Sequence, residues 1–328
     1  MSSTAATENK ERRENGWLTT ASHYMQLIRF SHTLFALPFA LLATSWAFII
    51  PLPGKDLETN SSQTYLTFRW QSLVGILLCM ITARSFAMAI NRLLDHRWDG
   101  ENPRTASRHL PAKLLTRSGV AWFSVSCAAA FVLSCSLFLP NTLPLILSLP
   151  LLGFLGGYSL AKRFTSLVHF WLGIALMLAP ICVWIALRGE AVQMNPKDIL
   201  PALTLGLVVF LWVSGFDIIY ACQDTEFDRR AGLFSIPAWL GVKNALRVAA
   251  ACHAGMWCIA LLLTFLFPAL SLGIHFRAAL VVVGILLIYE HSVISEKNLT
   301  RMQLAFFQLN SIISVLFLIV GTIDSYWR

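Results

Sequence analysis

Long apolar runs separated by short polar segments dominate this chain. Each run is long enough to form a helix across a hydrocarbon core of about 30 Å. The pattern therefore predicts an all-α membrane protein with nine transmembrane helices. We expect residues 1–26 to be a polar N-terminal tail and not a cleaved signal peptide, and residues 27–328 to be one transmembrane domain. The predicted spans lie near residues 27–50, 71–93, 119–139, 142–160, 167–187, 199–221, 245–267, 273–294 and 305–325.

Composition and charge agree with a membrane location. Of the 328 residues, 56% are hydrophobic and 13% are charged, and the mean hydropathy is +0.65, which excludes an ordinary soluble domain. Across the nine predicted spans, 18 Lys and Arg residues fall on one side and 6 on the other. By the positive-inside rule the richer side is cytoplasmic, which places the N-terminus in the cytoplasm and the C-terminus outside. The net charge of +8 thus marks the cytoplasmic loops of an inner-membrane protein, and nucleic acid is not an expected partner.

A first acidic set closes the second predicted span. Asn91, Asp95 and Asp99 are spaced four residues apart, so on a helix they share one face. Two carboxylates this close disfavour joint ionisation, and a divalent cation would remove the conflict. Mg²⁺ prefers oxygen ligands and commonly bridges carboxylates to substrate phosphates. The alternative is a structural row of acids that pairs with Arg92 and Arg97.

A second acidic set closes the sixth predicted span. Asp224 and Asp228 again have helical spacing, and Asp217 lies two turns earlier. Both sets fall on the basic side of the predicted topology, where acidic residues are not explained by a generic solvated surface. We therefore predict that the two sets face each other and hold Mg²⁺ and a diphosphate.

Cationic residues accompany the two acidic sets. Arg104 and Arg108 follow the first set, and Lys162 ends the fourth span, one turn after Tyr158. Guanidinium groups bind phosphate oxygens bidentately, and Lys acts as a point charge. The alternative explanation is positive-inside topology, which applies to most of these residues. Arg29, at the start of the first span, is a weaker candidate because membrane-anchoring arginines look the same.

Arg84 is the one basic residue that topology does not explain. It lies seven residues before Asn91, about two turns inside the predicted membrane span. An arginine at this depth is a functional-site hypothesis, and we expect an anionic or polar group on a small aromatic acceptor as its partner. The alternative is a structural pairing with a buried carbonyl or with Asp217.

The remaining histidines and cysteines carry no recognisable site pattern. Six scattered histidines, among them His169, show no metal-ligand spacing, so we expect them to be satisfied structural or interfacial residues. The seven cysteines lie in apolar runs without a CxxC pair and are expected to be small buried side chains.

Four motifs in this order carry a family resemblance. They read NRLLDHRWD at 91–99, PRTASRHLP at 103–111, YSLAKR at 158–163 and YACQDTEFD at 220–228. With them the chain resembles the UbiA family of intramembrane polyprenyltransferases. The resemblance implies nine helices around a central cavity and Mg²⁺-dependent transfer of a polyprenyl chain from its diphosphate to an aromatic ring. It also implies acceptor binding by Arg84, since an arginine seven residues before the motif asparagine has that role in the family.

Residue patterns and resemblance together define a candidate site. Its metal ligands are Asn91, Asp95, Asp99, Asp224 and Asp228, of which the four aspartates are also the catalytic candidates. The substrate-binding candidates are Arg29, Arg84, Asn91, Arg104, Arg108, Tyr158, Lys162 and Asp217. The expected partners are a polyprenyl diphosphate, a small aromatic acceptor and membrane lipid, with no obligatory protein partner evident.

The sequence indicates the branch within the family less clearly than it indicates the family itself. Residues 215–224, GFDIIYACQD, look most like the branch that prenylates 1,4-dihydroxy-6-naphthoate on the futalosine route to menaquinone, with the 4-hydroxybenzoate branch close behind. Phe234 stands where the family usually has a polar or basic residue, which weakens any expected side-chain contact there. Haem- and chlorophyll-prenylating branches share the first motif. From another class, an ion transporter with an acid-lined mouth remains an alternative, although transporters usually place ionisable groups near the bilayer midplane.

Overall fold

The computed structural model describes residues 19–28, 35–53, 64–294 and 304–327. Within these ranges every regular element is helical, so the all-α prediction is confirmed. The α-helices are α1 Leu37–Ile49, α2 Trp70–Glu101, α3 Arg117–Cys135, α4 Leu143–Ala161, α5 Val168–Met194, α6 Leu200–Ala221, α7 Thr225–Ala231, α8 Ile236–Leu240, α9 Val242–Leu266, α10 Ile274–Val293 and α11 Asn310–Tyr326. Short 3₁₀ or π stretches are Ser136–Phe138, Pro196–Ile199, Cys222–Asp224, Pro268–Leu270 and Leu304–Leu309.

Eight helices in the described ranges are long and apolar enough to cross a membrane: α2 to α6 and α9 to α11. The first predicted span, 27–50, contains α1, an apolar helix of 13 residues. A helix of that length covers about 20 Å, less than the roughly 30 Å of hydrocarbon. The count of full-length spans in the described ranges is therefore one lower than the sequence pattern predicts.

Local sequence explains where several helices begin. Proline occupies the first turn of α1, α4 and α6, as Pro38, Pro144 and Pro201. Proline is favoured there because the first turn has no use for its missing N–H group. The side chain of Thr116 caps α3 by accepting a hydrogen bond from the backbone N–H of Gly119 at 3.1 Å. Two of these helices carry candidate site residues: Tyr158 lies on α4 and Asp217 on α6.

The best-buried part of the bundle lies around α1 and α6. α6 packs against α5 and α9, and α1 packs against α5 and α11. The rings of Phe39, Trp46 and Trp212 are completely buried in this core. α2, by contrast, packs mainly against α3 and α4. Between these two groups of helices is a space enclosed by α2, α4, α5 and α6.

Residues 19–27 are helical, so the predicted polar tail is ordered at its end. Leu27 and Ile28 are buried in a cluster with Ala89 of α2 and Val120 of α3. This segment thus packs against the same end of the bundle as the segment that follows α2.

α2 carries the first acidic set beyond the apolar part of the bundle. Its 32 residues correspond to about 48 Å, against roughly 30 Å of hydrocarbon. The excess allows the last turns of α2 to stand outside the hydrocarbon. The name "acidic end" is used below for the end of the bundle where Glu101 of α2 and Ala221 of α6 lie.

Candidate active site

A polar cavity of about 160 Å³ lies at the acidic end of the bundle. It is bounded by α2, α4, α5, α6 and α7 and by the segment that follows α2. The structure therefore brings the two predicted acidic sets to one site from distant parts of the chain. Ten of the twelve predicted site residues line it: Asn91, Asp95, Asp99, Arg104, Arg108, Tyr158, Lys162, Asp217, Asp224 and Asp228.

Of the other two predicted site residues, one lies elsewhere and one is not described. Arg84 lines a separate apolar cavity that is deeper in the bundle. Arg29 is outside the described residues, so its predicted role stays a prediction.

α2 presents the first acidic set on one face, as the spacing predicts. Nδ2 of Asn91 donates to Oδ2 of Asp95 at 2.7 Å, and Nη1 of Arg92 donates to Oδ1 of Asn91 at 3.0 Å. Arg97 pairs with Glu101 at 3.3 Å on the exposed side of the helix. Arg97 therefore does not neutralise the aspartate row, contrary to one part of the structural alternative.

The second acidic set lies where α6 ends. α6 stops at Ala221, a single 3₁₀ turn spans Cys222–Asp224, and α7 then begins. The turn tightens the helical path just before Asp224. The carboxylates of Asp224 and Asp228 are both buried and both line the polar cavity. Gly232 follows the last residue of α7, and its φ of 67° is the left-handed conformation that glycine adopts without strain.

Each aspartate of the two rows faces a cation. Arg104 contacts both carboxylate oxygens of Asp224, with Nε–Oδ1 at 2.8 Å and Nη2–Oδ2 at 2.5 Å. The other pairs are Arg108 with Asp99 at 2.6 Å, Lys162 with Asp228 at 3.5 Å and Arg163 with Asp95 at 3.9 Å. The predicted cationic residues thus reach the acids directly, which topology alone does not require.

Further polar contacts hold Arg104 in place. Its Nη1 donates to the hydroxyl oxygen of Tyr220 at 3.0 Å, and Nδ2 of Asn102 donates to Oδ1 of Asp224 at 3.0 Å. Burial lowers the pKa of the Arg104 guanidinium, but the hydrogen bonds and the charge of Asp224 outweigh burial and raise that pKa overall. Asn102 is a buried site residue that sequence analysis missed, because an asparagine just after a helix end reads as an ordinary helix terminus.

Asp217 has a partner that the sequence did not indicate. Nδ1 of His169, at the start of α5, lies 2.7 Å from Oδ2 of Asp217. The expectation that His169 is a structural residue did not foresee this contact, since the two residues are 48 positions apart on different helices. The alternative in which Asp217 pairs with Arg84 is wrong.

An apolar cavity of about 330 Å³ adjoins the polar one. Asn91 and Tyr158 line both cavities, so these two side chains stand at the junction. The walls of the apolar cavity come from α2, α4 and α5, with contributions from α3, α6 and the start of α1. Arg84 lies among these walls, and its buried Nε has no hydrogen-bond partner. The apolar cavity therefore contains the cation of Arg84, for which neither structural partner considered above, a buried carbonyl or Asp217, is observed among the described residues.

The polar cavity suits a divalent cation by its donor chemistry. Buried Oδ2 atoms of Asp99 and Asp228 lack hydrogen-bond partners, and these are oxygen ligands of the kind that Mg²⁺ prefers. Within the described ranges no three His, Cys, Asp or Glu residues are yet close enough to hold a metal ion. The paired arginines and Lys162 occupy the carboxylates instead. Metal binding would thus require some of these ion pairs to exchange partners.

Phe234 makes a backbone contact only. Its N–H donates to the carbonyl oxygen of Lys162 at 2.8 Å, whereas its side chain is about half exposed and does not line the polar cavity. The substitution of a polar residue by Phe234 therefore leaves the described cavity walls intact.

Comparisons with known proteins agree with this geometry. A 4-hydroxybenzoate octaprenyltransferase from Vibrio atlanticus is 27% identical over 319 residues, covering 94% of this chain and 99% of the relative. A second 4-hydroxybenzoate octaprenyltransferase, from Saccharophagus degradans, is 31% identical over 253 residues, covering 76% of this chain and 79% of the relative.

Solved structures share the fold. The apo structure of a UbiA homolog from Aeropyrum pernix superposes with a TM-score of 0.74 and 27% identity, covering 89% of this chain and 97% of that one. A UbiA homolog from Archaeoglobus fulgidus, bound to DMAPP and Mg²⁺, superposes with a TM-score of 0.65 over 93% of this chain and 99% of that one. At 18% identity the second match supports the fold alone.

The family model covers both aspartate sets, all residues that line the polar cavity and most of those that line the apolar one. It is the model of the UbiA prenyltransferase family, and it matches residues 62–312, well over half of the chain. Because that match agrees with the relatives, the fold and the convergence of the four motifs on one cavity, the chain is a multi-pass membrane enzyme that belongs to the UbiA prenyltransferase family.

Proposed function

We propose that the enzyme transfers a polyprenyl chain from its diphosphate to a hydroxylated aromatic acid during respiratory quinone biosynthesis. One observation carries this proposal: a cavity lined by two aspartate rows and their cations adjoins an apolar cavity that contains Arg84. The first cavity suits a diphosphate, and the second suits an isoprenoid chain and an anionic ring. Relatives that are 4-hydroxybenzoate octaprenyltransferases favour an acceptor of that type. The acceptor 1,4-dihydroxy-6-naphthoate has the same hydroxyl and carboxylate groups and is the second candidate.

The diphosphate would bind among the cations of the polar cavity. Arg104 and Arg108 offer guanidinium groups, and Lys162 offers an ammonium group that is about a third exposed. Asn91, Asp95, Asp99, Asp224 and Asp228 would hold Mg²⁺. Bound there, Mg²⁺ would neutralise the diphosphate and make it a better leaving group.

The chemical step exchanges a C–O bond for a C–C bond. The allylic C–O bond of the prenyl diphosphate breaks, and its electron pair leaves with the diphosphate. Arg104, Arg108 and Lys162 are placed to stabilise the charge that builds on the departing oxygens. The allylic carbon is then attacked by the electron-rich ring, which afterwards loses a proton. Because the residues that line the second cavity are mostly apolar, we expect little water beside the allylic cation and therefore protection from hydrolysis.

Arg84 would select and orient the acceptor. Its guanidinium lies in the apolar cavity without a hydrogen-bond partner for Nε, so a carboxylate on the acceptor would supply the missing partner. Asn91 and Tyr158 stand between the two cavities, where ring and allylic carbon would meet.

The membrane location follows from the substrate. A long isoprenoid belongs in hydrocarbon, whereas its diphosphate belongs in water. The excess of Lys and Arg on one side of the predicted topology, 18 against 6, supports an orientation in which the acidic end of the bundle faces the cytoplasm across the inner membrane. Diphosphate would then enter and leave through the cytoplasmic mouth.

Product analysis tests this proposal. The purified full-length enzyme in detergent micelles would be incubated with geranyl or octaprenyl diphosphate and with each of the two acceptors, with Mg²⁺ or with excess chelator, and products would be read by mass spectrometry. We expect a prenylated ring and free diphosphate, both dependent on Mg²⁺. Asp95→Asn and Asp224→Asn should lose nearly all turnover. Glu226→Gln is the matched control, because Glu226 lies between Asp224 and Asp228 in the second acidic motif, but its side chain is 91% exposed and pairs with Arg230.

Two results would contradict the proposal. Near-normal turnover in both aspartate variants would remove the assigned role of the acidic rows. Failure of the wild-type enzyme to prenylate either acceptor would reject the acceptor class and leave the haem- or chlorophyll-type branches to be tested.

A further inference from the structure

His169 and Asp217 form a buried pair on the wall of the polar cavity. His169 Nδ1 and Asp217 Oδ2 are 2.7 Å apart, and the side chains are 1% and 16% exposed. His169 is the second residue of α5, and Asp217 lies on α6, which packs along α5. Both residues line the cavity that contains the aspartate rows. The wall of the polar cavity therefore includes this pair, one residue from α5 and one from α6, in addition to the residues of the motifs.

The hydrogen bonds of His169 define its tautomer. The backbone N–H of Ile236 donates to Nε2 of His169 at 3.4 Å. Because Nε2 accepts, the ring proton resides on Nδ1, and Nδ1 donates to Asp217. The imidazole is then neutral and leaves the negative charge on the carboxylate.

Asp217 differs from the other aspartates of the cavity. Asp95, Asp99, Asp224 and Asp228 each face an Arg or Lys within 4 Å, as described above. Among the described residues, the partner of Asp217 is the His169 ring, and Oδ1 of Asp217 makes no hydrogen bond to protein. Asp217 thus keeps an anionic oxygen available that the cations of the diphosphate site do not neutralise.

Asp217 lies as deep in the bundle as the proposed acceptor site, and deeper than the proposed diphosphate site. Asp217 precedes Asp224 by seven residues, as Arg84 precedes Asn91, so each lies about 10 Å deeper along its helix. Arg84 belongs to the apolar cavity, and Phe216, adjacent to Asp217, lines it too. An aromatic acid whose carboxylate is bound by Arg84 would therefore lie with its ring near the level of Asp217.

We infer that Asp217 accepts the proton that the acceptor ring loses, and that His169 is the positioning residue that orients the Asp217 carboxylate. This inference rests on the proposed function. After the C–C bond has formed, the attacked ring carbon carries both the prenyl chain and its original hydrogen. The C–H electron pair returns to the ring, and the proton passes to Oδ1 of Asp217. The protonated carboxyl later releases its proton to water through the mouth of the cavity.

A kinetic isotope effect tests the assignment. Rates would be compared for unlabelled 4-hydroxybenzoate and for the form deuterated at both carbons next to the hydroxyl-bearing carbon, with ring-deuterated 1,4-dihydroxy-6-naphthoate used in parallel. In the wild-type enzyme we expect the labelled and unlabelled rates to be similar, because proton removal is fast. Asp217→Asn should slow turnover roughly 100-fold or more and produce a primary isotope effect, since proton removal becomes limiting.

His169 is tested by removal and by partial restoration. His169→Leu should reduce kcat and produce an isotope effect, with a smaller loss than in Asp217→Asn. His169→Gln retains a side-chain N–H donor and should recover much of the rate. His275→Leu is the matched control, because Nδ1 of His275 pairs with Asp324 at 2.8 Å outside both cavities, and it should change neither rate nor isotope effect.

The outcomes separate this inference from the proposed function. Turnover by the wild-type enzyme reports on the proposed function, and its absence with both acceptors would overturn both. If the wild-type enzyme is active but Asp217→Asn loses rate without any isotope effect, or only raises the KM for the acceptor, Asp217 binds the acceptor and does not take its proton. Binding of prenyl diphosphate by each variant shows that it is folded. Should His169→Leu fail that check, Asp217→Asn still decides the assignment.

Discussion

The guanidinium of Arg104 binds both carboxylate oxygens of Asp224, at 2.8 and 2.5 Å, although 120 residues separate the two in the chain. This fork-to-carboxylate geometry is the same geometry in which arginine binds a phosphate. Asp224 therefore accepts from the same Arg104 N–H groups that the proposed diphosphate would use. Entry of the diphosphate should exchange this ion pair for a contact between Arg104 and phosphate, and should release Asp224 for a cation.

Substitution of Arg104 should damage diphosphate binding and transfer together. We expect Arg104→Ala to lower kcat/KM for the prenyl diphosphate by roughly 100-fold or more, in the range seen when one preorganised oxyanion donor is removed. Arg104→Lys should recover only part of the loss, because an ammonium group cannot bind bidentately. Steady-state kinetics with varied prenyl diphosphate would measure both effects.

Arg97→Ala is the matched control for Arg104. Arg97 is 77% exposed and pairs with Glu101 outside the cavity, so its loss should change kcat/KM by less than about twofold. Equal losses of kcat/KM in the Arg97 and Arg104 variants would show that the enzyme depends on general positive charge near the cavity mouth. Bidentate binding by the Arg104 guanidinium would then not be required.

The part of the site on α2 could be predicted from sequence because it is local. Asn91, Asp95 and Asp99 are spaced by one helical turn each, and an uninterrupted helix must bring them to one face. The presence of the second acidic set could be predicted in the same way. That both sets share a cavity depended on topology, since alternating spans return every second helix end to the same side.

Contacts between helices could not be predicted, because sequence spacing carries no information about them. His169 shows no ligand spacing, and its partner Asp217 lies on another helix, 48 residues away. The same holds for Asn102, which reaches Asp224 across 122 residues. The span count differs at the first apolar run, 27–50: residues 29–34 lie outside the described ranges, and the described helix in its second part, Leu37–Ile49, is shorter than a full span.

Filling the far part of the apolar cavity should shorten the prenyl chain that the enzyme accepts. Ala186 lines that cavity 17 residues, or about 26 Å along α5, from His169 of the polar cavity. We expect Ala186→Phe to lower kcat/KM for octaprenyl diphosphate roughly tenfold or more, and to leave geranyl diphosphate largely unaffected. Leu262→Phe on the exposed face of α9 is the control. Equal effects on long and short substrates would argue that the chain lies elsewhere.

Arg188 should be a major stabilising residue of the end opposite the acidic end. Its fully buried guanidinium contacts both oxygens of Asp198 and donates to the carbonyl oxygens of Ala47, Ile50 and Pro51, so it caps the end of α1. Arg188→Ala would leave the buried carboxylate of Asp198 without its cation, with only the hydrogen bond from Nε1 of Trp184 remaining among the described contacts, and should cost about 3–5 kcal/mol of unfolding free energy.

Thermal or denaturant unfolding in detergent micelles would measure the effect of Arg188→Ala. Arg277→Ala is the matched control, since Arg277 is exposed and its described contact is a cation–π approach to Phe265, with 5.2 Å from guanidinium carbon to ring centroid. We expect that variant to lose less than about 1 kcal/mol. A comparable stability of both variants would mean that the Arg188 network does not hold α1.

Arg84 should stabilise the bound acceptor at the expense of the empty protein. Its Nε is buried without a hydrogen-bond partner, so Arg84→Met should raise the unfolding free energy of the acceptor-free enzyme by about 1 kcal/mol. The same variant should raise the KM for 4-hydroxybenzoate roughly 10- to 100-fold, because a charge-assisted hydrogen bond is lost. Phenol, which lacks the carboxylate, should be used equally poorly by both enzymes. A destabilised Arg84→Met with an unchanged KM would instead identify Arg84 as a structural residue.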